Sequence, residues 1–342
     1  MSQPSKIFVS WPGYPVDDDD CGKRLASAGY KISLHPKLST RSEDELLELV
    51  GDAVAAIAST DPFSRKVLDA CPNLKVIART GVGYDNIDIA AATEHGICVS
   101  ITKGLNASTV AEHTLALLFA LTRKVIEQDH SVKMGRWERT VKLSEIRGKL
   151  IGVVGAGEIG QEVILRLRAF GARILYFSRS GRMIEGAERA LSLDQVLSAS
   201  DIITLHIPLT AETKGIIDAA QLSKMKRSAF LVNTSRGSIV DQSALFAALT
   251  RGELAGAALD VFETEPPTFH LDSIPNLICS AHTAGLSDAA NARITEAATS
   301  AVLDILAGKK IQDLINPEAL RNYEESRISS WKLASDLKKA VH

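Results

Sequence analysis

Cysteine is scarce in this chain. Cys21, Cys71, Cys98 and Cys279 are the only 4 in 342 residues, without metal-ligand spacing and mostly in apolar surroundings. That excludes a disulfide framework and a zinc module, and leaves reduced structural thiols, no metal and a cytoplasmic setting as the expectation. Long apolar runs are missing too: the longest, such as Leu115 to Leu121, fall far short of the roughly 20 residues a membrane span needs. Nor is there an excess of charge of one sign. Lys+Arg number 39 against 41 Asp+Glu, a net charge of -2, and no basic run is dense enough to meet a phosphate backbone. Neither a membrane nor a nucleic acid is expected as partner. The opening MSQPSKIFVSWPGYP has no charged start before an apolar block and no cleavage site, so no secretory signal is expected.

What is present is a globular composition, 45% hydrophobic and 23% charged, in a chain long enough for two cores. Short β-rich runs at Ile7 to Val9, Ile32 to Leu34, Val54 to Ala58, Lys75 to Ala78 and Cys98 to Ser100 alternate with helical patterns at Ser42 to Val50, Ser64 to Ala70 and Ile89 to His95. Such alternation predicts parallel strands with crossover helices. The acids Asp17 to Asp20 read as a first helical turn complementing the helix dipole rather than as a metal site. Asn106 to Val125 is a helix pattern apolar nearly all round, which predicts burial between domains or at a subunit interface.

A second series begins at Leu150, with strands predicted at Leu150 to Val154, Arg173 to Phe177, Asp201 to Leu205, Ala229 to Val232, Gly256 to Leu259 and Leu277 to Ser280, and a further helix after Asn291. Its first turn, Gly155, Ala156, Gly157, Glu158, Ile159, Gly160, spells G-x-G-x-x-G between a strand and a helix. In that context Gly155 permits the tight turn, Gly157 admits a pyrophosphate, and Gly160 lets the helix pack closely, while helix amides supply donors. Where the second strand ends, an acid holding the adenosine ribose is expected, but Ser178, Arg179 and Ser180 stand there, with Arg182 beyond. A missing carboxylate beside a guanidinium suits a 2′-phosphate, so NADP(H) is the preferred cofactor, with NAD(H) left open. The alternative is that these are ordinary surface arginines.

Three more segments set ionisable groups beyond strand ends: LVNTSRGSIVD with Arg236, ALDVFETEPP with Asp260 and Glu265, and LICSAHTAG with His282. Singly each has a bland reading, as salt-bridge partner, loop acid and strand cap. Together with the glycine loop they read as a carboxylate anchor plus an acid/base pair.

With these motifs assembled, the sequence resembles the D-isomer-specific 2-hydroxyacid dehydrogenase family, which includes phosphoglycerate dehydrogenases and glyoxylate/hydroxypyruvate reductases. The resemblance spans roughly residues 50 to 318 and adds TGVGYDNID (Thr80 to Asp88), NASTVAEHT (Asn106 to Thr114) and LHIPLTAET (Leu205 to Thr213). It implies an α/β fold of two Rossmann-like parallel-sheet domains: a flavodoxin-like substrate domain from residues 1–104 and 291–318, an inserted NAD(P)-binding Rossmann domain at 105–290, and a C-terminal tail at 319–342. It implies an NAD(P)-dependent oxidoreductase acting on the CH–OH group, with the active site between the domains. Arg236 would bind the substrate carboxylate and 2-oxo group, His282 would be the acid/base, and Glu265 would pair with it. Backbone amides of Val82 and Gly83 would hold the carboxylate, Asp260 would meet the nicotinamide carboxamide, and Val110, His206, Thr213 and Thr234 would line the cofactor. A homodimer is implied, with the Asn106 to Val125 helix and Trp137 against the partner subunit.

The residue types suit the chemistry. Reduction of a 2-oxo acid leaves an alkoxide that needs a proton donor, and histidine, with an unperturbed pKa of about 6.5, donates and accepts near neutrality. A neighbouring carboxylate stabilises its imidazolium. Arginine offers planar donors to a carboxylate. Two departures from the family pattern stand out: Ala281 replaces the usual proline, and no arginine occurs in Ile57 to Asp61, where phosphoglycerate dehydrogenases commonly carry one. The second departure favours a small unphosphorylated 2-oxo acid, hydroxypyruvate or glyoxylate. Arg79 and Lys103 keep D-3-phosphoglycerate as the alternative, and a cofactor-sensing corepressor is the alternative of another class.

Overall fold

The computed structural model describes residues 4–15, 20–37, 41–268 and 270–320. The expectations for Asp17 to Asp19 and for the tail from 321 to 342 lie outside them. The described residues fall into two compact units, one within Met1–Leu105 and Ser287–His342 and the other Asn106–Leu286.

The first unit carries β1 (Ser5–Val9), β2 (Tyr30–Leu34), β3 (Ala55–Ala58), β4 (Val76–Arg79) and β5 (Cys98–Ile101), all parallel, in the order β2-β1-β3-β4-β5. This is the flavodoxin-like order. The central strands are apolar, AAIA in β3 and VIA in β4 before Arg79, because both faces of a parallel sheet are covered. One cover is the helix Asp288–Leu306, which sets Ala290, Ile294, Ala298, Val302 and Ile305 along one stripe against Ile7, Val9, Ile57 and Val76. It starts before Asn291 because the Ser287 hydroxyl caps it, accepting from the Ala290 amide at 3.1 Å.

The second unit carries β6 (Leu150–Val154), β7 (Arg173–Phe177), β8 (Glu188–Arg189), β9 (Ile202–Leu205), β10 (Phe230–Asn233), β11 (Gly256–Leu259) and β12 (Leu277–Cys279). The seven-stranded sheet is parallel throughout, in the order β12-β11-β10-β9-β6-β7-β8. Strand order reverses between β6 and β9, so the crevice at their carboxyl ends is where such a sheet binds ligands. The α/β fold of two parallel-sheet units is therefore as expected. The Asn106 to Val125 pattern forms one helix nearly to its end. It runs as Ala107–Arg123, breaks at Lys124 in the left-handed region (φ 51), and resumes as Val125–Lys133, which buries nothing. The first helix buries Val110, Ala111, Thr114, Leu115, Leu117, Leu118, Leu121 and Thr122 but leaves Glu112 and Ala116 exposed. Among the described residues no helix is long and apolar enough to cross a membrane.

Candidate active site

The glycine loop leaves β6 at Gly155, whose φ of 97 only glycine adopts without strain. A Cβ there would overlap the His206 carbonyl, and one on Gly160 would overlap the Gly155 oxygen. Gly157 is different: nothing lies within 4 Å of the Cβ it lacks. It caps the helix Glu158–Ala169 with no side-chain hydrogen bond, leaving the first-turn amides to an outside acceptor. Open space above uncapped amides at a helix start fits a pyrophosphate. Glu158 is exposed in that first turn, and Ile159 packs partly into the core beneath.

At the end of β7, Ser178 and Ser180 join hydroxyls at 3.0 Å, and Arg189 on β8 donates to the Ser178 carbonyl at 3.3 Å. Arg179 is exposed. The Thr210 hydroxyl, bonded at 2.6 Å, and then a backbone hydrogen bond hold the Glu212 carboxyl, in the loop after β9, below its usual range. In that loop Thr213 is buried, its hydroxyl donating to the Pro208 carbonyl at 2.6 Å and accepting from the Thr210 amide at 2.8 Å. His206 bonds Thr204 through Nε2 at 2.9 Å, and burial pushes its pKa down to about 3, so the ring is neutral. Its Nδ1 is shielded and has no partner among the described residues. A shielded nitrogen awaiting a partner in this crevice also fits a bound nucleotide.

Beyond β10, Asn233 shapes the turn that presents Arg236: its Nδ2 donates to the Arg236 carbonyl at 2.9 Å, and its Oδ1 accepts from the Ser235 amide and hydroxyl at 3.0 and 2.7 Å. Thr234 is buried against Thr114, hydroxyl to hydroxyl at 2.9 Å. Gly237 is required because a Cβ there would overlap the Phe262 carbonyl and the Glu263 amide, so the Arg236 turn packs directly on the loop after β11. That loop carries Glu265, whose Oε1 accepts from the Phe262 amide at 3.0 Å and whose Oε2 lies 2.7 Å from His282 Nδ1. Partial burial works against its charge, but the His282 hydrogen bond and charge, the Phe262 amide and the Arg236 charge outweigh it and hold the carboxyl below its ordinary value. An ionised Glu265 only accepts, so Nδ1 bears the hydrogen and Nε2 is left for chemistry.

His282 sits in the left-handed region (φ 53), a conformation that costs a non-glycine residue about 1–3 kcal/mol and persists only where its surroundings hold it. Asp260, fully buried, does the holding. Its carbonyl accepts from the His282 amide at 2.7 Å, Oδ1 from the Thr283 amide at 2.9 Å, and Oδ2 from the Ala284 amide at 2.9 Å. The next residue, Gly285, borders Asn106 and Val110, whose Cγ2 a Cβ would meet at 3.9 Å. Arg236, Glu265, His282 and Asp260 thus share one face of the second unit.

Val82 and Gly83 lie in the first unit, in the half-buried loop that follows β4. Arg79 at the end of β4 is buried, with Nη1 over Gly81. A pairing invisible in the sequence surrounds the segment that lacks arginine: Arg41 Nε donates to Asp61 Oδ1 at 3.1 Å, Nη2 donates to the His35 carbonyl at 2.8 Å, and the Ser10 hydroxyl donates to Asp61. Both side chains of the ion pair are 5% exposed. A cation does reach this segment, already neutralised.

Residues 115–284 match the family described as D-isomer specific 2-hydroxyacid dehydrogenase, NAD binding domain. The chain is 40% identical over 293 residues to a glyoxylate reductase of Thermofilum pendens, covering 82% of this chain and 86% of that protein. It is 35% identical over 303 residues to a D-3-phosphoglycerate dehydrogenase of Methanocaldococcus jannaschii, covering 86% of this chain and 58% of that protein. Among solved structures, the NADPH-dependent glyoxylate/hydroxypyruvate reductase of Sinorhizobium meliloti, in complex with NADP and malonate, matches with a TM-score of 0.79 at 28% identity, over 93% of this chain and 98% of that one. The second unit accordingly carries the NAD-binding domain of this family.

Proposed function

The chain belongs to the D-isomer specific 2-hydroxyacid dehydrogenase family, NAD(P)-dependent oxidoreductases of the CH–OH group, and from that premise we propose that it reduces a small unphosphorylated 2-oxo acid, hydroxypyruvate or glyoxylate, with NADPH preferred. The observation that carries this is the pair of Glu265 and His282 at 2.7 Å, with Arg236 close enough for its charge to act on Glu265. A bound pyridine nucleotide supplies the hydride that reaches C2 of the substrate. Arg236 presents its planar guanidinium to the substrate carboxylate and 2-oxo oxygen, fixing orientation and polarising the carbonyl. As charge gathers on that oxygen, His282 gives it the proton held at Nε2. Glu265, ionised and bonded to Nδ1, keeps the ring in the correct tautomer and stabilises it while it is charged. In the oxidative direction Nε2 takes the proton back.

Gly155, Gly157, Glu158, Ile159 and Gly160 hold the pyrophosphate, Val110, His206, Thr213 and Thr234 border the nucleotide, and Ser178, Arg179 and Ser180 take the adenosine end. Among the described residues the Asp260 Oδ2 accepts only the Ala284 amide, which leaves a lone pair for a carboxamide donor. An unphosphorylated substrate is supported by the first unit, where Arg41 is held by Asp61 and His35 and Arg79 is buried, while the exposed Lys103 keeps D-3-phosphoglycerate as the alternative. A homodimer is supported by Ile126, Met134 and Trp137, 53%, 63% and 78% exposed in one segment, an apolar surface of the kind that marks an interface. The test is a panel of 2-oxo acids with NADPH and NADH. Hydroxypyruvate or glyoxylate should give the higher kcat/KM, and a clear preference for 3-phosphohydroxypyruvate would overturn the substrate assignment.

A further inference from the structure

We propose that His113, on the helix Ala107–Arg123, is a positioning residue for the His282 loop, acting through Ser280 and Asp260. The inference rests on His282 being the acid/base. His113 Nε2 lies 2.9 Å from the Ser280 hydroxyl, and that hydroxyl donates to Asp260 Oδ1 at 2.6 Å. A serine hydroxyl has one proton. Since Ser280 gives it to Asp260, the hydroxyl can only accept from His113, so His113 Nε2 carries the hydrogen and the chain has one direction. His113 Nε2 is itself 3.5 Å from Asp260 Oδ1.

The consequence is mechanical. Asp260 is the anchor of the loop, receiving the Ser280 hydroxyl and the Thr283 and Ala284 amides on its carboxylate and the His282 amide on its carbonyl. These bonds keep His282 in its left-handed conformation. A buried carboxylate short of donors is a poor anchor. His113 fixes the Ser280 rotor toward Asp260 from a helix that is itself packed into the core, with Val110, Ala111 and Thr114 buried around it. Without His113 the Ser280 hydroxyl loses its donor and is free to turn away. The His282 ring then samples more than the one orientation in which Nε2 can deliver its proton, and displacements near 1 Å cost about 10²-fold in the chemical step.

The experiment compares His113→Leu, His113→Gln, Ser280→Ala and the double variant His113→Leu/Ser280→Ala. It reads kcat, KM, the solvent isotope effect on kcat, and amide hydrogen exchange of Thr283 and Ala284 in the protein without nucleotide. His113→Leu should lower kcat by about tenfold, leave KM for the oxo acid within about twofold, raise the solvent isotope effect, and speed exchange of both amides. His113→Gln, whose Nε2 can donate to the same hydroxyl, should recover most of kcat and of the protection. The double variant should be no worse than the worse single one, because one chain cannot be broken twice. Unchanged exchange, additive losses, or equal losses in His113→Leu and His113→Gln would overturn the proposal. Should His113→Leu not fold, Ser280→Ala decides by the same readouts. His282→Ala is the control: turnover retained there defeats the acid/base reading itself, whereas an inactive His282→Ala beside a normal His113→Leu defeats only this inference.

Discussion

Removing the Arg179 side chain should cost NADPH binding and spare NADH. The guanidinium stands at the carboxyl end of β7, where the acid that would repel a 2′-phosphate is replaced by Ser178. A charge-assisted hydrogen bond contributes about 1.5–3 kcal/mol. Arg179 is exposed, so the lower end of that range applies, about tenfold in affinity. Titration of nucleotide fluorescence gives both dissociation constants directly. Arg179→Ala should weaken NADPH by about tenfold and NADH by less than about twofold. Raising salt from 0.15 M to 1 M shortens the screening length from about 8 Å to about 3 Å and should narrow the NADPH preference. Equal weakening of both nucleotides by Arg179→Ala, or NADH bound as tightly as NADPH by the unaltered protein, would refute the reasoning and make Arg179 an ordinary surface residue.

Glu265→Gln tests the acid pair through pH: because the folded carboxyl lies below its ordinary value, its stabilisation is complete above the unfolded value of about 4.3 and is lost as pH falls through the folded one. Urea melts should therefore separate the two proteins by about 1 kcal/mol at pH 7 and bring them together once pH has fallen through the folded value. Asp61→Asn leaves Arg41 buried without a counterion and should destabilise by about 3 kcal/mol in the same assay; a loss under about 1 kcal/mol would mean that water reaches the pair. Gly237→Ala forces the Arg236 turn away from Phe262 and Glu263 and should cost about 1–3 kcal/mol together with most of kcat, whereas wild-type kinetics would show that the loops do not need this contact.

The strands were legible because parallel strands covered on both faces must be apolar throughout, as in AAIA, LIGVV and GAAL. β8 was not: Glu188–Arg189 is two charged residues at a sheet edge, and nothing in a dipeptide separates an edge strand from a loop. The break at Lys124 was hidden for a similar reason, since the left-handed residue there is a lysine and the apolar pattern runs on past it. Arg236, Glu265 and His282 could be picked out because each follows a strand within a motif, and strand ends are where such sheets place their chemistry. Partners distant in sequence could not. Arg41 and Asp61 are 20 residues apart, and His113 and Ser280 are 167 apart, so only folding brings them together.

The central claim is that His282 Nε2 delivers the proton. His282→Ala, assayed with hydroxypyruvate and glyoxylate after nucleotide binding has been verified by fluorescence, tests it most directly. The account predicts an unchanged nucleotide dissociation constant and a kcat lowered by about 10²–10⁴-fold, the contribution of a positioned acid/base. Near-normal turnover by a folded, nucleotide-binding His282→Ala protein would contradict it.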